Sequence, residues 1–145
     1  MQAIYEKLFG IYDSSYQLIF DTLRNAYVFF VIFFFLLPLV LWALFYFAYQ
    51  NPYATVLHWF GWLAVSVIIV AILTGFWAWY EIYAVNAVNS KLSEELNKPS
   101  SAYKAYAALL PLKYALVNCL LAAILSAIFS LIFKQFSKVQ THLPV

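Results

Sequence analysis

Residues 26–49 run for 24 positions without a charged side chain. A helix that crosses a bilayer needs about 20 predominantly apolar residues. Hydrocarbon offers no partner to an open backbone amide, so such a stretch is stable there only as a helix or within a closed barrel. Residues 56–80 and 114–133 likewise contain no Asp, Glu, Lys or Arg. The three stretches predict an all-α fold: a polytopic membrane protein with three transmembrane helices and an N-terminal amphipathic, interfacial helix.

The rest of the composition leads to the same solvent. Hydrophobic residues make up 66% of the chain and charged residues 10%, against about a quarter charged in a soluble domain. Too little polar surface remains to cover a water-soluble globule, so the lipid bilayer is the expected surrounding. A net charge of +2 with no block of Lys or Arg gives no nucleic-acid surface. One cysteine, Cys119, excludes an intrachain disulfide and a cysteine-based zinc site. Glu6, Asp13 and Asp21 in the first 25 residues do not fit a cleavable signal peptide.

The 145 residues read as one membrane domain. In residues 1–25, Ile4, Leu8, Ile11, Leu18 and Ile19 recur near helical spacing among charges, predicting a surface segment interrupted at Gly10 and Asp13. Ser14 with Gln17 after it is placed to cap a second helix. The first span covers 26–49, and Pro38 inside it predicts a kink. The Asn51-Pro52 turn in 50–55 makes the first two spans antiparallel neighbours. The second covers 56–88, its last residues forming an extension into water. Residues 89–101 read as a polar loop ended by Lys98-Pro99, with Ser100 or Ser101 as a cap, and 102–112, around Lys104 and Pro111, as an interfacial elbow or the first turns of a kinked helix. The third span is 114–133 and a polar tail is 134–145.

Basic residues favour the cytoplasmic side of a span. With three spans, Lys7, Arg24, Lys91, Lys98, Lys104 and Lys113 share one side, against Lys134 and Lys138 on the other. This bias predicts a cytoplasmic N-terminus and a C-terminus across a plasma membrane or bacterial inner membrane.

Three features are candidates for function. Glu81, in Trp77-Ala78-Trp79-Tyr80-Glu81-Ile82-Tyr83, marks where the second span meets the interface. An acid buried among aromatics is a possible ion or proton site; the plainer reading is a carboxylate that reaches water or pairs with Lys113 or Lys104. Asn86 and Asn89 extend the same face. His58, at the other end of that span, is a headgroup-level anchor rather than a haem or metal ligand, having no second histidine beside it. His58 and Glu81 are 23 residues apart, about 34 Å along a helix, and cannot share a site.

The third span carries the strongest packing signal. Ala115, Cys119, Ala123 and Ala127 recur every four residues, and Asn118, Ala122, Ser126 and Ser130 form the adjacent row. Small residues let helix backbones approach, and Ser and Asn add interhelical hydrogen bonds. The rows serve equally as a seam with the chain's own second span or as a partner or oligomer interface. No catalytic residues, metal site or cofactor are expected, because no nucleophile has a base beside it.

These readings predict a non-catalytic integral membrane subunit that packs into a larger membrane complex, its partners being other integral membrane proteins or itself. The alternative is a homo-oligomeric channel or transporter whose pathway runs near Asn118, Ser126, Ser130 and Glu81. A membrane-embedded enzyme ranks last.

Overall fold

A computed structural model of the chain describes residues 5, 9–49, 55–84, 90–98 and 101–137. The described residues form no strand; five helices are defined, α1 (Gln17–Leu23), α2 (Ala26–Ala48), α3 (Val56–Tyr83), α4 (Ser90–Asn97) and α5 (Ala102–Lys134). The protein is all-α, and α2, α3 and α5 are long and apolar enough to cross a membrane.

Local chemistry sets the helix ends. Gly10 adopts φ +59°, a left-handed conformation that glycine takes without steric cost, and turns the chain before α1. The cap that follows is Asp13, not Ser14: its Oδ1 accepts from the Ser15 amide at 2.9 Å. A carboxylate at that position answers the positive end of the helix as well as the free amide. α1 runs into α2 through Arg24 and Asn25, both of which keep right-handed helical dihedrals.

Within α2, π-helical turns occupy Ile32–Leu36 and Leu44–Ala48. Pro38 lies just beyond the first, near the start of the α-helical segment Leu37–Ala43. A proline leaves a carbonyl one turn back without its donor, and a π-turn rearranges that ladder. The irregularity expected at Pro38 is therefore a change of helical register.

One segment differs from the sequence reading, and a second decides between two readings. Ser90–Asn97, expected within a loop, is helical; Leu92 is buried in the core and Lys98 pairs with Glu95 one turn back. Residues 102–112, read as an elbow or as the first turns of a kinked helix, are the first three turns of α5, which continues through Pro111 for 33 residues. Ala107 and Leu110 are buried in helical register with Tyr114 and Val117, and this packing extends the helix. Ser101 caps it, accepting from the Tyr103 amide at 3.2 Å. At 1.5 Å per residue α5 is about 50 Å long, more than the roughly 30 Å of hydrocarbon.

The broadest contact is between α3 and α5, and α2 packs against both. Two aromatic-rich clusters fill the interior. One gathers Phe20, Tyr27, Phe30 and Tyr114 around Tyr5 near the end that carries α1 and α4. The other gathers Trp42, Phe45, Tyr46, Trp59 and Phe129 toward the opposite end. Tyr5 is 1% exposed, so the N-terminal segment, expected on the membrane surface, sends this side chain between the spans. Tyr106 and Tyr103 tie the same segment to α5 by donating to the Ile11 carbonyl at 2.6 Å and the Ser15 carbonyl at 2.9 Å.

Candidate functional site: the small-residue seam and the open face of span two

Asn118, Ala122, Ser126 and Ser130 are all fully buried within the chain itself. They lie along one line of α5 and meet a matching line of polar groups. The Asn118 amide donates to Thr74 Oγ1 at 2.8 Å, and its Oδ1 accepts from the Tyr5 hydroxyl at 2.6 Å. Ser66 and Ser126 share a hydrogen bond of 3.3 Å. Ser130 Oγ accepts from Trp59 Nε1 at 2.7 Å and lies 2.8 Å from the Tyr46 hydroxyl. This ladder links α5 to α3 and α2, with each polar group shielded from lipid by a partner.

The neighbouring row is half-buried and faces the same helix. The Cys119 thiol points at the Val67 carbonyl, 3.7 Å away. A Cβ placed on Gly75 would lie 3.6 Å from that of Ala115, which shows how near the two helices run at this point. Ala123 and Ala127 continue the row at intermediate exposure. The sequence left open whether these rows face inward or toward another chain; the described geometry turns the Asn118 row inward. Outward, α5 presents Leu112, Leu116, Leu120, Ile124 and Ile128, all exposed large aliphatics, a surface matched to lipid tails.

Glu81 is 9% exposed and shares its helix face with the core residues Ala78 and Ile82. Lys113, one of the two lysines expected near it, sits over the Tyr106 ring, 5.1 Å from the centroid. Asn86 and Asn89 lie outside the described residues. His58 Nδ1 accepts from the Thr55 amide at 3.1 Å. It thus completes the N-terminal cap of α3 in the manner of the Glu or Gln of a capping box. That role was readable from Thr55 and His58 standing three positions apart. Among the described residues no three His, Cys, Asp or Glu side chains converge on a common point.

The outer face of α3 is the least covered surface of the three spans. In the most apolar stretch of each span 17% of α3 is buried, against 28% for α2 and 33% for α5. Gly61 and Ala64 are exposed on that face, and a Cβ on Gly61 would meet nothing within 4 Å. A depression of about 400 Å³ lies there, lined by Leu57, His58, Gly61, Trp62 and Val65. At the other end of α3, Trp79 and Tyr80 are exposed as a headgroup-level belt. Comparison with protein-family models, curated proteins and solved structures gave no match.

Proposed function

We propose that the protein is a non-catalytic integral membrane subunit that packs into a larger membrane complex through the open face of α3. The observation that carries this reading is the contrast between the two small-residue surfaces. The one on α5 is used inside the chain, whereas on the least covered span Gly61 lines an apolar depression and Ala64 is exposed. Small residues on a lipid-facing helix allow another helix to approach closely. The orientation that goes with this reading, N-terminus cytoplasmic, rests on the six-to-two distribution of basic residues.

Gly61→Phe tests the reading, because a Cβ at this position meets nothing within 4 Å and a bulky ring fills the depression against what docks from outside. Affinity purification in mild detergent with mass spectrometry should recover specific membrane partners or further copies with the native chain. The variant should lose them while keeping its own thermal stability. A native chain that purifies as a stable monomer with no associated chain overturns the proposal, as does a variant with undiminished partners.

A further inference from the structure

The depression on α3 offers hydrogen-bond donors and no side-chain acceptor. Leu57, Gly61 and Val65 contribute only carbon, so the polar side chains that line it are His58 and Trp62. An indole nitrogen can only donate. The cap of α3 settles what His58 offers. A backbone amide has a proton to give and no lone pair, and the Thr55 amide lies 3.1 Å from His58 Nδ1. Nδ1 therefore holds the lone pair, and the imidazole proton sits on Nε2. Thr55 Oγ1, 2.9 Å from the same Nδ1, is placed to donate to it as well. No described residue accepts from Nε2.

A helix laid over this depression would take Nε2–H out of water, and a donor left there without an acceptor would oppose docking. The docked helix must therefore bring an acceptor. Its own backbone carbonyls are committed to its internal ladder, so the acceptor is a side chain. Charge selects which one. Lys134 closes α5 at this end of the bundle, beside Phe133, which packs against the Trp42 and Trp59 cluster. The sequence that builds this end, residues 22–80 and 96–145, contains no Asp or Glu. An N–H donor and a nearby ammonium with no carboxylate of their own are complemented by a carboxylate. A second copy of the chain inserted the same way round brings no Asp or Glu to this level, so the docked helix belongs to a different protein.

We propose, on the reading that this face docks a membrane partner, that the partner is a transmembrane helix of another protein with an Asp or Glu at its hydrocarbon boundary. Its carboxylate accepts from His58 Nε2–H, and an apolar side chain next to it fills the depression over Gly61.

Two substitutions separate this contact from docking in general. Glu and Gln both serve as the third residue of a capping box, so His58→Gln and His58→Glu keep the cap of α3 and should melt with the native chain. They differ in what they turn outward: Gln still offers an N–H, whereas Glu presents a second carboxylate. In affinity purification from mild detergent, His58→Gln should hold the partner within about threefold of the native chain, and His58→Glu should lower its recovery about tenfold or more. Leu57, 79% exposed at the rim, is the position for a photo-reactive benzoylphenylalanine. The crosslinked segment should carry an Asp or Glu within one helical turn, and changing that acid to Lys should restore binding to His58→Glu. Undiminished partner in His58→Glu overturns the proposal, while loss of the partner in Gly61→Phe alone leaves the docking reading standing. Equal loss in both His58 variants overturns it too, as does a crosslink to a second copy or to a segment without an acid. Recovery of phospholipid with no associated chain removes both the proposal and the docking reading.

Discussion

The α3–α5 seam and the surroundings of α2 solve one problem by different means. Hydrocarbon supplies no hydrophobic force between helices, so association depends on close packing and on interhelical hydrogen bonds. At the α3–α5 seam the side chains are small, Gly75 lies against Ala115, and polar groups pair across the gap. Around α2 the side chains are large. Phe29 lies on Trp77 with centroids 4.3 Å apart, Phe30 meets Tyr114 at 5.1 Å, and Trp42 meets Trp59 at 5.5 Å. Among the described residues, two buried indole nitrogens have no hydrogen-bond acceptor, those of Trp42 and Trp77, and both belong to the aromatic contacts. The comparison teaches that ring packing near α2 is held by contact area at the expense of a few polar groups. The seam satisfies its polar groups and has little area per side chain.

Three substitutions probe that contrast, each read as a change in unfolding free energy by SDS titration in mixed micelles. Trp42→Ala removes the largest fully buried side chain and should have the largest effect, about 3–5 kcal/mol; a loss below that of the seam variants would break the comparison. Asn118→Leu deletes two hydrogen bonds and leaves the Tyr5 hydroxyl and Thr74 unpaired within the bundle, for an expected cost of about 1–2 kcal/mol. Coupling with Thr74→Val in a double-mutant cycle should account for about half of it. Ser126→Ala breaks only the 3.3 Å contact to Ser66 and should cost about 0.5 kcal/mol or less. A cost equal to that of Asn118→Leu would mean that the ladder acts as a single cooperative unit.

The spans were legible because hydrocarbon permits so few backbone states: uninterrupted apolar stretches of this length admit little but helix. The direction of the small-residue rows was not legible. A helix of the same chain and a helix of another make identical demands on Ala115, Asn118 and Ser126, and only the fold decides between them. Pro111 left an elbow and a kinked helix both open because its lost hydrogen bond is local, whereas the burial of Ala107 and Leu110 that extends the helix depends on neighbours distant in sequence. Tyr5 falls within a segment read as lying on the surface, because Ile4, Leu8, Ile11, Leu18 and Ile19 recur there near helical spacing among charges. The available hint was Asn118, a strongly polar amide in mid-span that had to find partners somewhere.

The bond from Tyr5 to Asn118 joins residues 113 positions apart. Synthesis runs from the N-terminus, so the first of these residues emerges long before the second exists. Until α5 is delivered, the early tyrosine has no amide to meet, and the cleft it will fill has only two of its walls. This contact therefore closes only on a molecule in which α5 has joined the earlier spans, and a product truncated before α5 would leave the translocon without it.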